Sequence, residues 1–443
     1  MKPTDIICRI GAGAGFAGDR VDPAVALAAS GEVDAIALEC LAERTLLPAL
    51  KARAADPRAG FDPRLRRRLA PLLPVAREKR CRIITNLGQA NPVAAGEAIT
   101  ALAEELGLHG LRVAAIHGDD VALLHADIAW VRAHPGQLVG AHAYLGARPL
   151  AAALAEGADV VVCGRVADSA LFAAPALHRL LPGDDALAGA IAVGHLLECS
   201  GQLSGGNYAP VGGALLSAAD YAQLGFPLAE VHADGSATIR LLDGAPGILT
   251  PETCTLQLFY EVHDPARYAT PDTVLDFTGI RFEQTGHNRV RMSGARSHGP
   301  PPTLKVAGFV ELPGFIADCE IGFAGTGALD RARRSAETLR LRLHLHGWAD
   351  EDIAVDLVGV DSILRAGSAA TLAPPAEVRV HVSARCADLE AAQIVEDEIY
   401  AMTLSGPAGG CSVRSERRAR VEVLDGFIAH ELVQPAITWS TAR

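Results

Sequence analysis

Lysine is scarce in this chain, and negative charge outweighs positive charge. The 443 residues contain 40 lysines and arginines against 52 aspartates and glutamates, which gives a formal net charge of −12 with histidine neutral. Only four of the basic residues are lysines: Lys2, Lys51, Lys79 and Lys305. Non-specific binding to nucleic acid or to an anionic membrane surface needs clustered positive charge. The charge balance therefore argues against both kinds of partner.

Long apolar runs and paired cysteines are also missing. No uninterrupted apolar stretch approaches the roughly 18 residues of a membrane helix, and the N-terminus MKPTDIICRI lacks the features of a signal peptide. The nine cysteines stand singly, without a CxxC pair. This spacing indicates neither a disulfide framework nor a zinc ribbon. We therefore expect a cytoplasmic protein with reduced thiols.

The first 200 residues alternate short β-rich apolar runs with longer alanine- and leucine-rich stretches. Apolar strands separated by helices are typical of a mostly parallel sheet covered on both faces. We predict a three-layer α/β domain over residues 1–200 with a cleft at its strand ends. The predicted strands are 5–10, 34–39, 82–86, 112–117, 138–144 and 159–164, and the predicted helices between them are 22–30, 43–54, 63–80, 92–107, 120–133 and 147–157.

The second half has a different pattern. Residues 201–302 read as a β-rich connecting region that begins in a glycine-rich stretch and includes a hairpin turning at Asp234-Gly235. Residues 303–443 combine strands with helices predicted at 327–346 and 387–404. That order predicts an α+β domain, a sandwich of the split β-α-β type with two helices on one face of an antiparallel sheet.

Polar or glycine-rich loops follow the predicted strands of the first domain. Ligands of parallel α/β sheets bind outside the carboxyl ends of the strands, so these loops are expected to form one cleft. The side chains and glycines that we expect to bind substrate there are Gly13, Gly15, Gly18, Asp19, Arg20, Glu39, Glu43, Arg44, Asn86, Asn91 and Arg165.

The loop after the first strand contains Gly13-x-Gly15-x-x-Gly18, a literal dinucleotide fingerprint, with Glu39 at about the distance expected of a ribose ligand. Asp19 and Asp22 would repel a pyrophosphate, however, and Asp22-Pro23 is typical of a helix start. The motif is also compatible with a bare tight turn, or with backbone amides that bind one anionic substrate group beside Arg20.

Candidate catalytic acids lie near the ends of later strands. Asp119 and Asp120 can act as metal ligands or as a general base, or can merely cap a helix. After the most apolar strand, Arg165 can clamp a carboxylate, and Asp168 is either a catalytic acid or an N-cap.

Further candidates follow later in the chain. His195 and Glu198 are three residues apart, so they can meet on one helix face, either as a structural contact or as an oriented acid–base or metal-binding pair; Gly205 and Gly206 follow closely. Lys305 is a mid-strand lysine, read either as a solvated residue or as a catalytic amine. Gly325 and Gly327 precede a helix and suit an anionic ligand.

Several long motifs resemble the acyclic terpene utilisation protein AtuA family. They are GAGAGFAGDRVDPAVALAASGEVDAIALECLAERT, NLGQANP, HGDD, ADVVVCGRVADSALF, GHLLECSGQLSGGN, LTPETCTLQLFYEVHDPARYATPD, LKVAGFVELPGF, GFAGTGALDRA and GPAGG. They run in order from about residue 8 to residue 411, nearly the whole chain.

The resemblance implies a role in bacterial catabolism of isoprenoids such as citronellol and geraniol through acyl-CoA intermediates. Longer members carry a further C-terminal domain, so a small partner subunit equivalent to that domain is expected, and we also expect a homo-oligomer. We predict a catabolic enzyme that acts on a small carboxylated or acyl-CoA-linked substrate, most plausibly a hydro-lyase. A divalent metal shared by Asp119, Asp120 and Glu198 is one option. The alternatives are an NAD(P)-dependent oxidoreductase that uses the Gly13–Gly18 motif and a non-catalytic binding subunit.

Overall fold

The computed structural model describes residues 2, 5–133, 136–364 and 375–443, apart from the side chain of residue 178. The chain divides into two compact units. Unit 1 contains Met1–Ala133, Val139–Phe309 and Val423–Arg443, and unit 2 contains His134–Leu138 and Val310–Glu422.

The strands are β1 (Ile6–Ala14), β2 (Ala35–Leu38), β3 (Arg82–Thr85), β4 (Arg112–His117), β5 (Ala129–Trp130), β6 (Gln137–Ala143), β7 (Val160–Cys163), β8 (Leu228–His232), β9 (Ala237–Arg240), β10 (Tyr268–Ala269), β11 (Val274–Asp276), β12 (Arg281–Gly286), β13 (Arg289–Ser293), β14 (Arg296–Ser297), β15 (Thr303–Ala324), β16 (Ile353–Val358), β17 (Glu377–Cys386), β18 (Cys411–Ala429) and β19 (Ala436–Thr441). The α-helices are α1 (Asp22–Ser30), α2 (Glu43–Ala55), α3 (Leu65–Lys79), α4 (Pro92–Glu105), α5 (Arg148–Ala155), α6 (Asp168–Ala173), α7 (Asp184–Leu197), α8 (Ala218–Ala222), α9 (Pro251–Leu258), α10 (Ala328–Leu345) and α11 (Leu389–Ser405).

Unit 1 is built on a mixed sheet of ten strands in the order β12-β13-β9-β8-β1-β2-β3-β7-β4-β19. The five strands β1, β2, β3, β7 and β4 are parallel, and antiparallel β8 and β19 flank them. β2 and β7 are buried along their whole length. Such strands form when helices cover both faces, as their continuous apolar sequence predicts. The prediction of parallel strands in an α/β fold is confirmed.

One predicted strand forms but pairs elsewhere, and one predicted helix is wrong. The 138–144 strand exists as β6 but pairs with β15 rather than joining the parallel sheet, because an apolar run does not specify its partner strand. The predicted helix 120–133 is a short 3₁₀ segment, Ala122–Asp127, followed by β5. None of the six residues of that segment is buried, and a helix without a buried face lacks the tertiary packing that stabilises most helices.

The hairpin predicted around Asp234-Gly235 is present. β8 and β9 are antiparallel neighbours, and Gly235 has a φ of 82° in the turn between them. The hairpin extends the main sheet beyond β1, since β8 pairs with β1.

Unit 2 has its own hydrophobic core. β17 pairs antiparallel with β16 and with the second half of β15. Alternate residues of β17, from Val378 to Cys386, face a core to which α10 and α11 contribute Leu339, Ile399 and other apolar side chains. The two predicted helices therefore form, with small shifts in their ends.

Candidate functional site

The loops after the five parallel strands meet at one edge of the sheet in unit 1. Arg165, in the loop between β7 and α6, lies at the centre of these loops and is 1% exposed. Its Nη1 donates to the Leu41 carbonyl oxygen at 2.6 Å, and its Nε and Nη2 donate to the Val166 carbonyl oxygen at 2.9 and 2.6 Å. Nη2 also donates a hydrogen bond to Asp168. The guanidinium therefore ties the loop after β2 to the loop after β7 and orients Asp168.

Tyr144 lies between two cations. The Arg165 guanidinium carbon is 4.5 Å from the centroid of the Tyr144 ring, and the Lys305 Nζ is 5.3 Å from it. The Tyr144 hydroxyl donates a hydrogen bond to Glu43. Lys305 also forms an ion pair with Asp425 at 3.1 Å and remains 45% exposed. The amine thus belongs to this cluster and is accessible to solvent.

Two carboxyl groups beside Arg165 have opposite pKa shifts. Burial raises the pKa of Glu43, but the Tyr144 hydrogen bond and the charges of Arg165 and Lys305 outweigh it, so the pKa lies below its ordinary value. Burial raises the pKa of Asp168, and nearby Glu39, Glu198 and Glu43 raise it further against the opposing charge of Arg165. The Asp168 side chain is nevertheless 38% exposed. Asp168 therefore lies beside the buried carboxyl groups, while part of its side chain reaches solvent.

Glu39 forms the buried floor next to this group. Its Oε1 accepts hydrogen bonds from the Leu41 amide at 2.7 Å and from Asn86 Nδ2 at 3.0 Å. Asn86 in turn accepts from the Cys40 amide at 2.6 Å. Burial raises the pKa of Glu39, and Glu198 adds to this shift, while Arg165 and Asn86 oppose it.

Glu198 and His195 meet as their spacing predicts. His195 Nδ1 is 2.7 Å from Glu198 Oε1, and His195 Nε2 is 3.2 Å from the Leu258 carbonyl oxygen. The imidazole stacks on Phe277, with ring centroids 5.7 Å apart. Burial lowers the pKa of His195, but the Glu198 carboxylate outweighs that effect and the pKa is raised. With both ring nitrogens engaged, His195 is held as a fixed cationic partner of Glu198.

Asp119 accepts hydrogen bonds rather than facing an open space. Its Oδ2 accepts from the Arg165 amide at 2.8 Å and lies 2.9 Å from Nδ1 of His142 in β6. Gly164 is required beside it, because a Cβ at that position would lie 2.5 Å from Asp119 Oδ2. His142 is 1% exposed, and its Nε2 has no hydrogen-bond partner among the described residues. An unpaired buried polar group costs about 1–3 kcal/mol.

Packing explains the glycine motif after β1. Gly13 lies inside β1, and a Cβ on Gly15 would approach the Cys199 carbonyl carbon to 2.6 Å. A Cβ on Gly18 would lie 2.8 Å from the Phe16 ring. All three glycines therefore have a steric role.

A carboxylate of the chain itself occupies the amides of the same loop. Asp19 accepts from the Gly15 amide at 2.9 Å and from the Arg20 amide at 2.8 Å. Arg20 pairs with Asp22 and donates to the Leu224 carbonyl oxygen at 2.9 Å. Arg68 is buried and donates to the carbonyl oxygens of Ala17 and Asp19. The loop is therefore held together internally.

Other predicted site residues have structural partners. Asn91 caps α4 through the Ala94 amide and donates to the Pro57 and Ala59 carbonyl oxygens at 2.8 and 2.7 Å. Asp120 forms an ion pair with Arg53 at 3.4 Å, with both side chains 43% exposed.

The later predicted glycines have local backbone roles. The Gly206 amide donates to the Gly201 carbonyl oxygen, and Gly205 has a φ of 105°. Gly325 and Gly327, with φ values of 80° and 71°, belong to unit 2. Arg44 is exposed at the start of α2, one residue after Glu43.

Sequence reasoning missed Tyr144 and His142. Both lie in the stretch LVGAHAYLG, whose alternation places residues 140, 142 and 144 on one face of the strand. That pattern predicts that His142 and Tyr144 share a face of the strand. Only the tertiary structure shows that His142 pairs with Asp119 and Tyr144 with Glu43. No group of three or more His, Cys, Asp or Glu side chains among the described residues could hold a metal ion, so the three-carboxylate set Asp119, Asp120 and Glu198 is not assembled.

No helix within the described ranges is both long and apolar enough to cross a membrane. In comparisons with known proteins, the model of the acyclic terpene utilisation family protein AtuA matches residues 8–439. No curated protein and no solved structure gives a significant match.

Proposed function

We propose a function for this chain on the premise that it belongs to the acyclic terpene utilisation family AtuA, as the match over residues 8–439 shows. The proposed activity is addition or removal of water next to the carbonyl group of a small carboxylated or acyl-CoA-linked substrate of the branched isoprenoid type. The enzyme acts in the cytoplasm, as a homo-oligomer, together with a small partner subunit. The family supports the catabolic role, and the chemistry of the Arg165 group supports the reaction.

The cluster in which Arg165 contacts Tyr144 and Asp168, and Tyr144 donates to Glu43, carries this proposal, and its two carboxyl groups have opposite pKa shifts. Groups whose environments separate their pKa values are suited to acid and base roles in one reaction. Asp168, with its raised pKa and partial exposure, supplies a proton to the substrate. Glu43 stays ionised and fixes the Tyr144 hydroxyl. Hydration and dehydration need proton transfer at two positions, so a site with separated pKa values fits them.

Two exposed cations, one in contact with Tyr144 and one next to Glu43 in the chain, suit an anionic substrate. Lys305 is 45% exposed, and Arg44 is exposed. The Arg165 guanidinium donates four of its five N–H groups to Leu41, Val166 twice and Asp168. Lys305 and Arg44 therefore bind the substrate carboxylate or a CoA phosphate, whereas Arg165 positions Asp168.

The nicotinamide alternative has less support. A bound pyrophosphate needs free amides at the loop after β1, yet Asp19 already accepts from the Gly15 and Arg20 amides there. Titration with NADH and NADPH, followed by fluorescence transfer, tests it directly. Saturable binding would favour the oxidoreductase over the hydro-lyase.

The proposal is tested with Asp168→Asn. The chain is purified with its co-expressed partner and given β-methyl-branched enoyl-CoA and β-hydroxyacyl-CoA thioesters, with loss of enoyl absorbance as the readout. We expect turnover by the wild type and a loss of about 10²–10⁴-fold in the variant. Asp330→Asn, an exposed carboxyl in α10, is the matched control and should keep full activity.

Two results would contradict the proposal. Equal turnover by wild type and Asp168→Asn would remove Asp168 from the mechanism. Turnover by the partner alone, unaffected by cleft variants of this chain, would instead favour the non-catalytic binding subunit.

A further inference from the structure

We propose that His142 is the group that accepts the proton of the reacting water, with Asp119 holding its ring in the required tautomer. This inference rests on the proposed hydration chemistry and assigns a catalytic residue to it. It gives Asp119 a different role from that expected of a general base, since the carboxylate acts through the imidazole.

The hydrogen bonds of the His142 ring select its tautomer. Asp119 Oδ2 lies 2.9 Å from Nδ1 and also accepts from the Arg165 amide at 2.8 Å. An ionised carboxylate only accepts hydrogen bonds, so a neutral ring carries its proton on Nδ1 and leaves a lone pair on Nε2. A carboxylate that fixes an imidazole in this way is a recurrent arrangement in enzymes that use histidine as a base.

The unpaired Nε2 indicates what it binds. Buried polar groups in native proteins are mostly hydrogen-bonded, yet this atom has no partner among the described residues. The side chain is 1% exposed, and α2 packs beside its strand, because a Cβ on Gly140 would meet Leu50 at 2.8 Å. Water is small enough to be the hydrogen-bond partner of an atom buried in this way, whereas a whole thioester is not. Hydration is a reaction that uses water as a reactant.

The position of His142 in the fold connects it to the Arg165 group. His142 lies on β6, two residues before Tyr144, whose amide continues the pairing with β15 by donating to the Lys305 carbonyl oxygen at 2.9 Å. Residues two apart in an extended segment project to the same side. Tyr144 contacts Arg165 and donates to Glu43. Asp119 is bonded to the Arg165 amide, while the Arg165 side chain holds Asp168. Arg165 therefore connects the two proposed groups: its backbone amide bonds to Asp119, which holds the base His142, and its side chain holds the acid Asp168.

Every proton in the hydration step is accounted for. In hydration, Nε2 takes one proton from water while the water oxygen bonds to the β-carbon of the enoyl thioester. The electron pair of the carbon–carbon double bond takes a proton from the Asp168 carboxyl group at the α-carbon. His142 then returns its proton, and Asp168 regains one, by exchange with solvent. Dehydration is the reverse sequence.

The test compares His142→Gln and Asp119→Asn with the wild type in the complex with the partner subunit. When the amide nitrogen of the asparagine faces Nδ1, it donates to the ring, so the ring proton lies on Nε2 and the base is removed. We expect both variants to lose about 10²–10⁴-fold in turnover and in incorporation of oxygen from ¹⁸O-labelled water. His381→Gln is the matched control, because His381 in unit 2 also lies beside an aspartate, with Nε2 3.3 Å from Asp318. It should keep wild-type turnover.

Selective ¹⁵N-histidine labelling gives a readout that does not depend on turnover. With His142→Gln used to assign the signal, Nε2 should be unprotonated in the wild type and protonated in Asp119→Asn. A protonated Nε2 in the wild type, or full turnover by a folded His142→Gln variant, would overturn the inference and leave the proposed function standing. Absence of turnover by the wild type on all the thioesters would instead overturn the proposed function and the inference together.

Discussion

Glu39 and Glu43 are four residues apart in the chain, yet their environments move their pKa values in opposite directions. Glu39 is 7% exposed, and its hydrogen bonds come from a backbone amide and a neutral side chain. Glu43 has Tyr144, Arg165 and Lys305 around it. At the residue scale, the pKa of each carboxyl group depends on the hydrogen-bond donors and cations next to it. Neighbouring residues of one type can therefore have different roles.

Replacing Glu39 by glutamine removes a buried charge and keeps an acceptor for Leu41 and Asn86. The raised pKa means that folding disfavours the ionised form, so the wild type loses stability as pH rises above the unfolded-state value of 4.5. We therefore expect Glu39→Gln to gain stability over the wild type between about pH 4 and pH 7, by about 1.4 kcal/mol for each tenfold change in the dissociation constant. Urea unfolding at both pH values measures this, with exposed Glu78→Gln as the control. If the stability advantage of Glu39→Gln over the wild type shrinks as pH rises, the fold stabilises Glu39 as a carboxylate and the prediction is wrong.

At the scale of the elements, the sequence specifies local structure better than partners. β1, β2, β3, β4 and β7 follow from apolar runs, and their shared edge follows from the fold class. The pairing of β6 with β15 does not, since any apolar strand satisfies the same pattern. For the same reason, the order of strands and loops in the sequence predicts that Arg165 and Asp168 lie at the sheet edge. It does not predict that Tyr144 and His142 lie there too. Those contacts join positions far apart in the chain.

Asn91 is an example of an element-scale role that a motif can conceal. It caps α4 and holds the 57–59 turn through two carbonyl oxygens. We expect Asn91→Ala to destabilise unit 1 by about 2 kcal/mol or more, since a cap contributes about 1 kcal/mol and each further hydrogen bond about 0.5–1.5 kcal/mol. Asp388→Ala, which removes only the cap of α11, should cost about 1 kcal/mol. Thermal unfolding of both variants compares them. A stable Asn91→Ala protein with weakened substrate affinity would return Asn91 to the binding site.

At the scale of the whole molecule, each unit has its own hydrophobic core and its own ion pairs. A cluster around β2, β3 and β7 in unit 1 is formed by residues such as Leu38, Ile83 and Val162. In unit 2 the helices α10 and α11 are joined by Glu398, which pairs with Arg342 and lies 2.8 Å from His346 Nε2. Each unit can therefore be perturbed by a substitution inside it.

Glu398→Gln tests whether unit 2 can be destabilised by itself. Burial raises the pKa of Glu398, but Arg342 and His346 outweigh it, so the pKa is lowered from 4.5. The pair accordingly stabilises the fold above the unfolded-state pKa, and this contribution is lost as pH falls through the lower folded-state pKa. We expect the variant to lose about 1–3 kcal/mol at pH 7 and less in acid. Hydrogen exchange should accelerate in α10, α11 and β17 and stay unchanged in β1, β2 and β3. Glu337→Gln, which breaks an exposed pair on α10, should change exchange little. Equal acceleration in both units would show that the chain unfolds as one cooperative body.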